Sequence, residues 1–600
     1  MLRSFLTKKT SFLHQITKLR FKPTLLKPKT FLIGSTTICS AAVLLIPKES
    51  NLHENHIPTI KSKTPPLTAT IPPSHPLSLL FRAIQLFFLF GPPLLLLPIT
   101  YITNSCRSIL QDWFIWSLQT AGPTFIKLGQ WLSTRPDIFP REFCLKLSHF
   151  HDSVPTEPFT SSARNAIVAA VVQAQAQDSS TITPLSSTAK SLHLHDIYTE
   201  FDPIPIGSGC VSQVYLARLQ SSNQRVVIKV KRQDVDQRIT DDLALLTHVT
   251  SWIEYIFPSM QFMSLSGCVS EFSSLLLSQL DLKQEGRHLL QFDQNFTRTW
   301  NAHENECIHF PKPYLNLSSK DVLVETYEEG ISLSEWLQER EKAIVQGDTR
   351  TSKQSIIEAT IADIGARSFF EMVLVHNFIH SDLHPGNILI SKKSNRKNQN
   401  NQNNQNNQND TKKMTFFGSF FGTEDDPVDD SEQADIENDI CLIYLDVGLT
   451  TVLRSNSRIN FISLFSAVLS GRGKHAAELM VNRSIDPSSV VDMKGFVHGM
   501  TNVIEDAVQR DANGNGFNLG KVRIGEVLLE VMHLCQLHHV RVDDTMAQLV
   551  SSIALLDGIG RQLDPTRDLF DTARPVLSKL WHLHPDYRKA IGEETRKMLF

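Results

Sequence analysis

The run His380-Ser381-Asp382-Leu383-His384-Pro385-Gly386-Asn387 constrains this chain more than any other stretch. It follows the apolar segment Met372-Val373-Leu374-Val375 and precedes Ile388-Leu389-Ile390, which has strand character. A His-x-Asp triplet with Asn five positions after the Asp is a catalytic-loop pattern for phosphoryl transfer. In such a loop the Asp takes the proton of an attacking hydroxyl and the Asn holds a metal ion on the phosphates. The plainer reading is a polar loop between two buried elements, its Asp and Asn serving turns. The two readings separate on whether the rest of the chain supplies the other parts such chemistry needs.

Three further features line up with the loop in kinase order. Gly207-Ser208-Gly209 lies between strand-like flanks, and glycines let backbone N–H groups approach phosphates. Lys229 sits on the β-branched strand Arg225–Val230, where a kinase places its phosphate-contacting lysine, and Glu285, on a following helix, is where the lysine's ion-pair partner belongs. Taken singly, a strand lysine or a helix glutamate is usually a solvated surface charge. Asp446, in a strand-to-turn context with Gly448, takes the place of the metal-binding Asp that follows the catalytic loop in such chemistry. The order of the features, more than any one of them, carries the assignment: Asp382, Lys229 and Glu285 for catalysis, Asn387 and Asp446 for the metal.

The flanking segments read differently. No acidic residue occurs from Met1 to Lys48, while Arg3, Lys8, Lys9, Lys18, Arg20, Lys22, Lys27 and Lys29 lie among Leu, Phe, Ser and Thr. That composition suits a mitochondrial targeting segment over 1–48, the alternative being a disordered basic tail. A Pro-, Thr- and Ser-rich linker covers 49–76. Within 77–104, the run Ala83 to Ile102 carries no charge and is expected to enter or line a membrane; the alternative is a buried or surface-lying apolar helix. The net charge of −3 gives no case for nucleic-acid binding. The eight cysteines include no C-x-x-C pair, so neither a zinc site nor a disulfide framework is suggested, and the chain reads as reduced and intracellular.

Residues 105–200 read as a helical extension, 201–330 as a β-rich lobe and 331–600 as a mainly helical lobe. An insertion at 394–439, Asn/Gln-rich and then acidic, interrupts the second lobe and is expected to be disordered. Asp511-Ala512-Asn513-Gly514-Asn515-Gly516 imitates the start of a calcium loop, but Val522 stands where the closing Glu belongs. It is read as a turn between helices.

With these residues in place, the sequence resembles the UbiB family of atypical kinases, and within it the mitochondrial ADCK-type members, from about residue 80 to 570. The distinctive match is Lys127-Leu128-Gly129-Gln130, similar to the family's K-x-G-Q motif; Leu556–Pro565 is similar to a family segment near the end. The resemblance implies an α+β fold, two-lobed and protein-kinase-like, with an N-terminal helical extension carrying the K-x-G-Q motif. It also implies ATP or ADP with magnesium as cofactors, bound by Gly207, Ser208, Gly209, Lys229, Lys127 and Gln130. The K-x-G-Q helices would cover the surface where a protein substrate docks. The implied role is nucleotide-dependent support of coenzyme Q or lipid metabolism at the mitochondrial inner membrane, with lipid and quinone-biosynthesis proteins as partners. Two departures stand out. The family's nucleotide loop is alanine-rich, whereas this chain has Gly207-Ser208-Gly209, and the first acid of the family's E-x-D motif is Gln279 in Gln279-Leu280-Asp281. The alternatives are a catalytically silent, nucleotide-responsive scaffold and a true protein kinase.

Overall fold

The computed structural model describes residues 76–96, 104–133, 135, 141–148, 156–178, 193–257, 265–300, 308–346, 351–393, 430–484, 487–509, 524–565 and 569–599. The targeting segment, nearly all of the linker, the calcium-loop imitation and residues 394–429 of the insertion lie outside the described residues.

Helices open the described chain: α1 (Pro76–Leu95), α2 (Asn104–Ala121), α3 (Pro123–Ser133), α4 (Arg141–Ser148) and α5 (Ser161–Asp178). Strands β1 (Tyr198–Phe201), β2 (Gly207–Ser208), β3 (Ser212–Leu219) and β4 (Arg225–Lys231) follow. Three helices come next, α6 (Val235–Ile256), α7 (Leu265–Ser278) and α8 (Leu282–Thr299), then β5 (Ile308–His309) and β6 (Val322–Thr326). Helix α8 starts afresh after α7 because the Asp281 carboxylate accepts hydrogen bonds from the Lys283 and Gln284 N–H groups.

The small lobe is an antiparallel sheet in the order β1-β3-β4-β6, with β2 paired to β3. Strand alternation divides β4 between two environments. Val226, Ile228 and Val230 pack with Val322, Val324, Tyr215 and Ala217 under Ile167 and Ala170 of α5. Val227 and Lys229 face the other way, into the cleft between the lobes.

Helix α8 joins the lobes. Its buried Leu282, Leu289, Phe292 and Phe296 recur at helical spacing and share a core with Phe310, Trp336, Ile388, Ile390, Leu442 and Tyr444. Fully burying each of the two phenylalanines contributes about 1.5–3 kcal/mol. Gly286 is needed at the crossing, since a Cβ there would lie 2.8 Å from Leu315 Cδ2 and 3.0 Å from Leu323 Cδ1. Glycine in a helix costs roughly 1 kcal/mol against alanine. Here it lets α8 press onto β6 and brings the neighbouring Glu285 to the sheet.

The larger lobe begins with β7 (Ile331–Ser332), α9 (Leu333–Gln346) and α10 (Ser352–Phe370). At Glu371–His376 the helix widens into a π turn. Arg458 Nη2 donates to the freed carbonyls of Leu374 and Val375 at 2.5 and 3.0 Å, and the fully buried Glu371 carboxylate meets Lys579 Nζ at 2.7 Å. Asn377 then takes a left-handed conformation, φ 51°, and its side-chain amide bonds both the N–H and the carbonyl of Leu453. This wide turn stops the helix and aims β8 (Ile379–His380) and the motif after it. Strands β9 (Ile388–Lys392), β10 (Ile440–Tyr444) and β11 (Thr450–Thr451) complete the sheets, β9 lying between β7 and β10 and β11 pairing with β8. Helices over Ser455–Leu469, Gly473–Asn482, Met493–Gln509, Ile524–Leu537, Asp544–Leu563, Leu569–Leu583 and Pro585–Leu599 follow, and Phe370, Phe461, Phe465, Phe496, Met532, Ile553 and Leu577 belong to their core.

Two expectations change. The insertion expected to be disordered to 439 is helical over Asp430–Asp439, where Ile436 packs against the core that holds Ile440 and Leu442. The apolar run read over Ala83–Ile102 is described as far as Leu96; its helix reaches back to Pro76 and so takes in the charge of Arg82. Arg82 bonds the Asp242 carboxylate at 2.7 and 2.9 Å, and that carboxylate is fully buried. One face of α1 therefore docks on the extension, with Leu86, Leu89 and Phe90 against Leu118 and Phe125, while Leu77, Phe81, Phe87, Phe88 and Leu95 stay exposed. The helix is long and apolar enough to cross a membrane by length and composition.

Candidate active site

The cleft between the lobes gathers residues from five elements. Lys229 Nζ lies 2.9 and 3.0 Å from the two Glu285 oxygens and 2.8 Å from Asp446 Oδ1. Burial alone would lower the Lys229 ammonium, but Asp446 and Glu285 outweigh it and hold the pKa above its ordinary value. Burial pushes the Glu285 carboxyl up to about 7, against the pull of Lys229. Asp446, although partial desolvation would raise its carboxyl, is held down at about 2, chiefly by Lys229 and Lys127. Lys229 thus stays cationic and Asp446 anionic at neutral pH.

Asp446 adopts φ 50°, a left-handed conformation uncommon for a residue with a side chain. Such strain persists where the surroundings over-determine it, and often at functional positions. Here the Leu445 N–H donates to the Asn387 carbonyl at 2.8 Å, tying the Asp446 turn to the motif loop. His380 makes a second tie. It is fully buried, with Nε2 3.0 Å from the Leu445 carbonyl and Nδ1 accepting from the Asp382 N–H at 3.3 Å. These partners assign the Nε2-protonated, neutral ring, and burial lowers the imidazole pKa in the same sense.

Asp382 is positioned from two sides. Asn387 Nδ2 donates to its carbonyl at 3.0 Å, which leaves Asn387 Oδ1 as an acceptor. Lys127 Nζ, from α3, lies 3.2 Å from Asp382 Oδ2, with side chains 17% and 14% exposed, so this pair is shielded from water. Burial would lower the Lys127 ammonium, and Asp382 and Asp446 together raise it. Helix α3 therefore places its lysine in front of the carboxylate that the motif assigns to proton transfer.

The glycine loop is fastened rather than open. Arg232 Nη2 donates to Ser208 Oγ at 2.8 Å and Nε donates to the Gly209 carbonyl at 3.0 Å, while the guanidinium also pairs with Glu157. The next residue, Cys210, is buried and within electrostatic reach of Lys127 and Asp382, which brings the loop over the cleft. Gln130 lies one turn beyond Lys127 on α3 and is half-buried. Lys127, Lys229, Glu285, Asp382, Asn387 and Asp446 thus meet in one cleft, with Gly207-Ser208-Gly209 at its edge.

Sequence reasoning missed Arg232, whose clamp on the loop needs the register of β4, and His288, which faces the Val447 carbonyl from α8 at 3.2 Å. The donor set suits magnesium, a hard cation that prefers oxygen ligands. Asp446 keeps 44% of its side chain exposed toward the cleft, and Asn387 offers an amide oxygen. Among the described residues no group of three or more His, Cys, Asp or Glu can hold a metal ion. An ion on Asp446 and Asn387 would thus take its remaining ligands from phosphates and water, as Mg²⁺ commonly does.

Comparison with known proteins gives the chain's family. The model of the ABC1 atypical kinase-like domain covers residues 171–480, which include both lobes' cleft residues. A mitochondrial ABC1 family protein of Saccharomyces cerevisiae is 30% identical over 539 residues, 84% of this chain and 74% of that protein. A mitochondrial ABC1 family protein of Schizosaccharomyces pombe is 31% identical over 537 residues, 83% and 71% of the two chains. A probable protein kinase UbiB of Vibrio vulnificus is 26% identical over 475 residues, 79% and 71% of the two chains. A cleft built in kinase order and a match running through both lobes place this chain in the ABC1 family of atypical kinase-like proteins, to which it belongs.

Proposed function

We propose that the cleft binds ATP or ADP with magnesium and works as an atypical kinase or ATPase in mitochondrial coenzyme Q or lipid metabolism. The observation that carries this reading is the Lys229–Glu285–Asp446 cluster facing Asp382 and Asn387. Lys229, fixed by Glu285, would neutralise phosphate charge, Asp446 and Asn387 would hold the magnesium, and Asp382 would take the proton from an acceptor or a water. Positioning and charge stabilisation supply most of the catalysis in such transfers. Calorimetric titration with ADP should show binding that needs magnesium in the native protein and loses that dependence in Asp446→Asn. Equal binding by both proteins, with and without the metal, would remove the metal role from Asp446.

A second reading, a nucleotide-responsive scaffold without turnover, is favoured by Lys127 standing on Asp382. A true protein kinase is favoured by the glycine loop and opposed by the same helix α3.

The proposed location is the mitochondrial inner membrane, where lipid and quinone-biosynthesis proteins are the proposed partners. The acid-free segment at 1–48, the mitochondrial labels of the two fungal relatives and the exposed apolar face of α1 support it. Fractionation should recover the protein in mitochondrial membranes resistant to carbonate. Recovery from the cytosol would refute import, and release by carbonate would reduce α1 to a peripheral contact.

A further inference from the structure

The cleft face of the small lobe's sheet carries an acidic side chain for which phosphate chemistry has no use. Cross-strand register sets Val214, Lys229 and Leu323 in one row, and Leu216, Val227 and Glu325 in the next. Directly paired residues share a face of the sheet. Glu325 therefore faces the same cleft as Lys229, one row nearer the segment 327–330 that leads to the larger lobe. Along a strand, two residues span about 7 Å, so this row lies well beyond the phosphate-binding lysine.

The second row is apolar apart from Glu325, and Val214 of the first row adjoins it. Val214 and Leu216 are half-buried and Val227 is buried, forming a ceiling with no hydrogen-bonding side chain of its own. Glu325 is half-buried, and its carboxyl makes no hydrogen bond among the described residues. Burial, then Glu285 on α8, pushes this carboxyl up to about 8; Asp446 and Glu328 add to the rise and Lys229 on β4 opposes it. A neutral carboxyl still offers one donor and one acceptor. An apolar ceiling with one polar group at its edge is how pockets take a flat ring and fix its orientation.

We propose that Glu325 is the base-reading residue of the nucleotide site, hydrogen-bonding the amino group at position six of a purine held under Val214, Leu216 and Val227. This rests on the nucleotide reading above. Glu325 is a specificity-determining residue in it, separate from the groups that handle phosphate.

The test titrates native protein, Glu325→Leu and Glu325→Gln with ATP and with purine riboside triphosphate, which lacks any group at position six, in the presence of magnesium. Native protein should bind ATP roughly tenfold more tightly, the value of one hydrogen bond lost from a partly buried site. Glu325→Leu should bring the two affinities within about threefold of each other, and Glu325→Gln, which can still accept from the amino group, should keep the preference. Equal affinities in native protein would overturn the proposal even if the Leu variant failed to fold. An undiminished preference in a folded Leu variant would overturn it as well. Failure of native protein to bind either triphosphate would instead bring down the nucleotide reading itself, and this proposal with it.

Discussion

Replacing Asp382 with Asn is expected to leave nucleotide binding intact and to lower turnover by about 10²–10⁴, the usual worth of a positioned general base. The geometry makes the substitution clean. Backbone ties to His380 and Asn387 hold residue 382 whatever its side chain. An amide keeps the shape of the carboxylate but neither accepts a proton nor attracts the Lys127 ammonium. Phosphate and metal contacts remain with Lys229, Glu285, Asn387 and Asp446, so affinity for nucleotide should change little. Retained binding with lost turnover identifies a base; loss of both would mean that Asp382 is needed to shape the cleft.

Removing Lys127 should have the opposite sign. A carboxylate paired with a shielded ammonium is a weaker base, and the lysine stands against the Asp382 oxygen that would take the acceptor's proton. Charged hydrogen bonds of this kind contribute about 1.5–3 kcal/mol. Lys127→Ala should therefore raise phosphate transfer to acceptors by roughly tenfold or more, the protein itself included, while leaving nucleotide binding in place. The same change strips a partner from a poorly exposed carboxylate, so a modest loss of thermal stability is expected alongside the gain. A fall in transfer with unchanged binding would recast Lys127 as part of the catalytic apparatus rather than an obstruction.

The cleft was legible in the sequence because its parts sit in short segments with fixed local roles. The spacing from Asp382 to Asn387, the strand that carries Lys229 and the turn that carries Asp446 each follow from neighbouring residues. Contacts set by tertiary register were not legible. Arg82 and Asp242 are 160 positions apart, and without the fold each reads as a solvated charge. That pair explains why α1 continues through Arg82: an apolar-run criterion ends at a charge, whereas the folded chain buries the charge against its partner. Asp430–Asp439 has an acidic composition that resembles disorder, and packing of Ile436 stabilises its helix instead. Glu325 lies in a recognisable strand, but which way it faces depends on its pairing with Val227.

The most direct test of the account follows labelled phosphate from γ-labelled ATP, with magnesium, in native protein, Asp382→Asn and Lys127→Ala side by side. Both free phosphate and phosphoprotein are counted. The account predicts measurable release by native protein with little transfer to added peptides, loss of both signals in Asp382→Asn, and new phosphoprotein in Lys127→Ala. Undiminished turnover in an Asp382→Asn protein that still binds nucleotide would contradict it.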